Sequence, residues 1–93
     1  MTKKEIFYKS LKEKLENNTE FPTDYLYKFI VPTTKNQVAE VEAVFRNKKA
    51  KISKRDSRTG KFISLSIMLK MNNADEVIKN YHDVENIEGL ISL

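Results

Sequence analysis

Phe62-Ile63-Ser64-Leu65-Ser66-Ile67-Met68-Leu69-Lys70-Met71 is the stretch that decides the fold. Ile63, Leu65, Ile67, Leu69 and Met71 fall at every second position, and a β-strand sends alternate side chains to opposite faces. The five therefore bury one sheet face together. Ser64, Ser66, Met68 and Lys70 go to the other face, which is mostly polar. A strand with one dry and one wet side needs helices on the dry side, and the rest of the chain is read for them.

Upstream, Tyr25, Tyr27, Phe29 and Val31 alternate with Leu26, Lys28 and Ile30. Both faces of this second strand are largely apolar, which predicts a central strand with cover on each side. Thr34 followed by Gln37 has capping-box spacing and predicts a helix from Lys35 to about Phe45, with Val38, Val41, Val44 and Phe45 facing the core. From Lys48 to Arg58 only Ala50 and Ile52 are apolar, so a strand there belongs at a sheet edge. Asp56 to Lys61, with Ser57 and Gly60, supplies turn chemistry leading back into the Phe62 strand. Asn73 and Glu76 repeat the capping spacing before Val77, Ile78, Tyr81 and Val84, an apolar stripe at helical period. Ile87 to Leu93 reads as a short last strand broken at Gly89. At the other end, Phe7, Leu11 and Leu15 with Tyr8 mark a narrow-striped helix over 1–18 that lies across the domain or against a partner.

Leaving out that first helix, the order is strand, helix, strand, strand, helix, strand. Two right-handed βαβ halves joined by a hairpin give an α+β, ferredoxin-like βαββαβ sandwich: a four-stranded antiparallel sheet with two helices on one face. Residues 1–19 form an N-terminal helix extension and residues 20–93 a single domain. The Tyr25 and Phe62 strands are central; the basic strand and the C-terminal strand are edges.

Composition narrows function mainly by exclusion. The chain has 93 residues, 32% of them charged and none a cysteine. Disulfides, thiolate metal sites and cysteine nucleophiles are excluded together. No apolar run approaches the roughly 18 residues of a spanning helix, and the first residues lack a signal-peptide core; the expectation is a soluble, cytoplasmic protein. Two glycines exclude a phosphate-cradling glycine-rich loop, and one histidine, His82, excludes a histidine-based metal cluster. No serine or carboxylate pairs with a base in a catalytic pattern. Neither catalytic nor metal-ligating residues nor a cofactor are expected, and the chain reads as no enzyme.

Charge is polarised. Lys48, Lys49, Lys51, Lys54, Arg55, Arg58 and Lys61 face only Asp56 over 48–61, whereas 62–93 is net acidic. Lys51, Lys54, Arg55, Arg58 and Lys61 form a candidate anion- or partner-binding group, weighed against a solvated edge that lysines keep from pairing. Lys28, Ser64 and Ser66 form a second candidate site, on the sheet face away from the helices. Leu26, Ile30 and Met68 on that face call for a covering element, either the first helix or a second subunit. An RNA-recognition reading fails at the stacking positions, because Arg58-Thr59-Gly60-Lys61-Phe62 lacks the aromatic-glycine-aromatic order.

Phe21-Pro22-Thr23 leading into Tyr25, Tyr27 and Lys28, then Ser57-Arg58-Thr59-Gly60-Lys61-Phe62-Ile63-Ser64-Leu65-Ser66-Ile67, then a helix with Tyr81 and a short apolar last strand, resembles the YbeD-like family of small bacterial proteins of unknown function. The resemblance covers residues 20–93. It implies a ferredoxin-like fold similar to the ACT domains that regulate metabolic enzymes by binding small molecules. The function expected is therefore a non-catalytic binding or regulatory module with a protein or small-metabolite partner. The alternatives are a nucleic-acid binder using the basic hairpin at 48–61 and a structural dimerisation domain.

Overall fold

Two long strands pair along their whole length at the centre of the molecule. β1 (Thr23–Pro32) lies antiparallel to β3 (Phe62–Met71), from Thr23 opposite Met71 to Pro32 opposite Phe62. The structure, a computed structural model, describes residues 2–93, so the expected helix start at Met1 lies outside the described residues. The remaining elements are α1 (Lys3–Asn18), α2 (Gln37–Phe45), β2 (Lys51–Asp56), α3 (Ala74–Val84) and β4 (Ile91–Ser92). The sheet order is β2-β3-β1-β4 with every neighbour antiparallel, which is the expected ferredoxin-like arrangement with β1 and β3 inside.

The odd-numbered residues of β1 and β3 build the core. Tyr27, Phe29, Val31, Leu65 and Ile67 are fully buried, and Val41 and Phe45 of α2 with Val77 and Val84 of α3 close over them. Aromatic rings set the spacing between layers. Tyr27 stacks on Phe29 with centroids 5.7 Å apart and meets Tyr81 edge-on at 4.9 Å, and such pairs add to the burial of their area. The Tyr27 hydroxyl donates to the Val77 carbonyl at 2.8 Å and accepts from Asn80 Nδ2 at 3.3 Å, so the one polar atom at the centre is satisfied. Burial, and then lesser influences, pushes the Tyr27 phenol well above its ordinary value.

α3 begins as expected, with Asn73 Oδ1 accepting from the Glu76 N–H at 2.9 Å. The start of α2 differs. Gln37 is buried and turns back, its Oε1 accepting from the Lys35 N–H at 2.8 Å and its Nε2 donating to Thr34 Oγ1 at 3.3 Å. Thr34 thus binds a side chain instead of capping a helical turn, and the helix starts at Gln37 instead of Lys35. The last strand is also shorter than the expected Ile87 to Leu93. Turns continue through Ile87 and Leu90, whose amides donate to Val84 and Ile87, so only Ile91 and Ser92 join the sheet. Gly89 makes this turn possible. Its φ is +75°, and a Cβ there would lie 2.6 Å from Pro32 Cγ, a closeness only glycine permits.

α1 does not cover the sheet's second face. It packs on α3, with Leu15 buried, the Tyr8 ring 4.2 Å from that of His82, and the Tyr8 hydroxyl donating to Glu85 Oε2 at 3.0 Å. An ion pair from Lys12 to Asp75 at 2.9 Å fixes the other end. The Tyr8 phenol is pushed up to about 12, by burial first and then by the hydrogen bond to Glu85 and its charge. Tyr8→Phe removes that bond and is expected to cost about 0.5–1.5 kcal/mol. The loss should register as faster amide exchange across α1, with the amides of β1 and β3 unchanged; equal acceleration in the sheet would mean that α1 is integral to the core.

Candidate functional site

The even-numbered residues of the central strands point away from the helices, onto a face that nothing in the described chain covers. Register places them in rows. Lys51, Met68 and Leu26 form one row; Ser53, Ser66 and Lys28 the next; Arg55, Ser64, Ile30 and Ile91 the third; Phe62 and Pro32 complete the end. The middle of the face is therefore a floor of three serines. Lys28 stands at one side of it and Lys51 and Arg55 at the other. Short hydroxyl side chains between long cationic ones leave a depression of about 350 Å³, lined by Lys28, Ser53, Arg55, Ser64 and Ser66 with Leu93 at its margin.

Apolar residues bracket this basin. Leu26 and Met68 lie on one side and Ile30, Ile91 and Phe62 on the other. Among the seven large apolar residues that stay exposed, Leu26, Phe62, Met68, Ile91 and Leu93 belong to this face or its rim, while Ile6 and Phe7 lie on α1. The cover expected over Leu26, Ile30 and Met68 is not supplied by α1, which packs on α3 and leaves Phe7 of its stripe exposed.

The cations of the face are free. Lys4, Lys12, Lys35, Lys48, Lys54 and Lys79 each meet a carboxylate within 4 Å. Among the described residues no ion pair engages Lys28, Lys51, Arg55 or Lys70, the last of which lies across from Asp24 in the register. The charge of Lys28, Lys51 and Arg55 is balanced only by solvent, which leaves these exposed donors free to meet an anion from outside the chain.

The two candidate groups drawn from the sequence are thus partly one. Lys51 and Arg55 join Lys28, Ser64 and Ser66 on the open face. Lys54 is turned to the helix side, where it meets Glu42 at 3.2 Å. Arg58 sits in the exposed turn that Gly60 closes, and Lys61 follows it; neither reaches the basin. The basic segment is not a single stripe because a strand divides consecutive residues between faces. Ser53 was missed, and alternation from Lys51 to Arg55 was the signal that would have found it.

Other polar clusters are internally compensated. A cleft of about 280 Å³ between α3 and β3 is lined by Lys48, Leu69, Met71, Glu76, Lys79 and Asn80. Lys48 donates to Asn80 Oδ1 at 2.6 Å, and Asp83 lies 2.9 Å from Lys79 and 3.7 Å from Lys48. The Asp83 carboxyl is held below its usual range, by the Lys79 hydrogen bond first. His82, near the end of α3, is engaged by Glu85 at 3.3 Å. Tyr25 and Tyr81 share a hydrogen bond of 2.9 Å, and burial followed by that bond raises the Tyr81 phenol far above neutrality, which removes it from acid–base work at physiological pH. Among the described residues no three His, Cys, Asp or Glu side chains gather as metal ligands, and no helix is long and apolar enough to cross a membrane.

Solved structures share the fold. An uncharacterised protein from Thermotoga maritima is 14% identical, with 75% of this chain and 90% of that one covered and a TM-score of 0.64. A protein from H. pylori is 18% identical over 82% of this chain and 86% of its own, with a TM-score of 0.63. The ACT domain from the GTP pyrophosphokinase of Chlorobium tepidum is 13% identical over 76% of this chain and all of that domain, with a TM-score of 0.55. No curated protein matches the chain. The profile of the family described as "Protein of unknown function (DUF493)" matches residues 16–92, nearly the whole sequence from the last turn of α1 to β4. The chain belongs to that family, as its resemblance to the YbeD-like proteins implied.

Proposed function

We propose that this protein is a non-catalytic binding module of the cytoplasm that regulates another protein by docking on it through the open face of the sheet. The observation that carries the reading is one coincidence. The face that nothing covers holds both most of the exposed large apolar residues and the unpaired cations Lys28, Lys51, Arg55 and Lys70. Exposed apolar surface rimmed by polar groups marks interaction sites. The lack of cysteine suits a reducing compartment. A domain of like fold in Chlorobium tepidum is the ACT domain of a GTP pyrophosphokinase, so the fold occurs as one part of a larger enzyme.

The test is site-directed. A photo-crosslinking residue placed at Ser66, in the middle of the face, is expected to capture a discrete partner in cells of the source organism. The same residue at Ala39, exposed on α2, is not. Equal capture from both positions, or none from Ser66, overturns the reading.

A further inference from the structure

The docking reading leaves the partner's chemistry open, and the layout of charge and apolar surface on the open face narrows it. From Met68 to Phe62 the face runs seven residues along β3, about 20 Å over six steps of about 3.3 Å. The serine basin lies midway along this length, with apolar residues on either side of it. A small metabolite would fill the basin and leave Leu26, Met68, Ile91 and Phe62 in water. An occupant that spans the whole face has to be a macromolecule.

Three macromolecular occupants are separable by charge and area. A second copy would bring four unpaired cations against four, with Asp24 the one carboxylate on these strands' open side to offset them. It would also bury too little: a face of about 20 by 15 Å gives about 600 Å² in total for two copies, half of what stable interfaces begin at. A nucleic acid would find cations but hardly a stacking platform. Tyr25, Tyr27 and Phe29 all point to the helix side, and Phe62 at the far end is the one aromatic residue on the open side. An acidic protein segment buries as little area, enough for a transient contact, but complements the charge: carboxylates satisfy the cations and serine hydroxyls while flanking apolar side chains dry the two ends.

We propose, on the strength of the docking reading above, that the open sheet face binds an acidic amphipathic segment of a partner protein. Carboxylates of that segment sit over Ser53, Ser64 and Ser66 between Lys28 and Arg55, and its apolar side chains rest on Leu26 and Met68 and on Ile30 and Phe62. The small area makes the complex weak and quickly reversible, as suits a regulator that samples its target.

The probe is a synthetic helix of Glu, Leu and Ala about 14 residues long, with Glu midway along one side and Leu near both ends of that side, which matches the 20 Å face at about 1.5 Å per residue. It is titrated into the full chain while backbone amide shifts are followed. The expected result is saturable shifts confined to the even positions of β1 and β3 and the odd positions of β2. Affinity should fall about tenfold when Gln replaces Glu in the peptide, and about tenfold in Lys28→Glu with Arg55→Glu. The milder pair Lys28→Gln with Arg55→Gln serves if the reversed charges disturb folding, and its affinity should fall less but in the same direction. Equal binding of the Gln peptide, shifts centred elsewhere, tighter binding of an oligothymidylate, or no saturable binding each overturns the acidic assignment. If any of these occurs while Ser66 still captures a partner, docking stands and only the partner's chemistry is wrong; if Ser66 captures nothing, both fall.

Discussion

Replacing Phe29 with Ala is expected to cost about 3–5 kcal/mol and to leave much of the chain unfolded at room temperature. Phe29 is fully buried in a central strand, and its ring touches three others: Tyr27 at 5.7 Å, Tyr81 at 6.1 Å and Phe45 at 6.4 Å between centroids. Those rings come from β1, α2 and α3, so the cavity would open where three elements meet and no single one can relax into it. Single domains hold only about 5–15 kcal/mol in all, and a chain of this length builds one modest core. Urea denaturation followed by circular dichroism measures the loss. Phe29→Leu, which keeps most of the volume, should recover the larger part of it. A loss below about 1 kcal/mol for the alanine variant would mean that the aromatic cluster is not the centre of the core.

The second large effect concerns the buried amide of α3. Asn80 is 3% exposed, donates to the Tyr27 hydroxyl and accepts from Lys48 at 2.6 Å. Asn80→Ala is expected to cost about 2–3 kcal/mol, because it opens a gap and leaves the Tyr27 oxygen without a donor where water does not reach. Tyr27→Phe removes the hydroxyl that Asn80 serves. The double variant Tyr27→Phe with Asn80→Ala should therefore lose less than the sum of the two single losses in a denaturation cycle. Strict additivity would show that the two groups do not work as a pair.

How much of this molecule the sequence disclosed depends on which interactions set each element. Alternation from Phe62 to Met71 and from Tyr25 to Val31 settled the strands and their inner faces, since burial follows a period of two whatever the surroundings. Capping at Asn73 is local chemistry and was readable as such. At Gln37 the same local spacing misled, because burial of the glutamine redirects its amide to Lys35 and Thr34. The last strand shrank to two residues because turns after α3 run on through Ile87 and Leu90, held by backbone bonds back to Val84 and Ile87. The candidate site lay half in view. Lys28, Ser64 and Ser66 follow from alternation alone, but their union with Lys51, Ser53 and Arg55 needs the β2–β3 register, which is set by the hairpin and not by either strand.

The brevity of β4 leaves the two rims of the sheet differently defended. β2 guards its rim with Lys51, Lys54 and Arg55, charges that repel an approaching strand. On the opposite rim β4 pairs with Phe29 and Ile30, and Leu93 reaches the Lys28 carbonyl, after which the border of β1 runs on from Tyr27 to Thr23 with no strand alongside among the described residues. The sheet therefore keeps one border without a neighbouring strand, from Tyr27 to Thr23 of β1, and its backbone groups there are the ones open to pairing with a further strand.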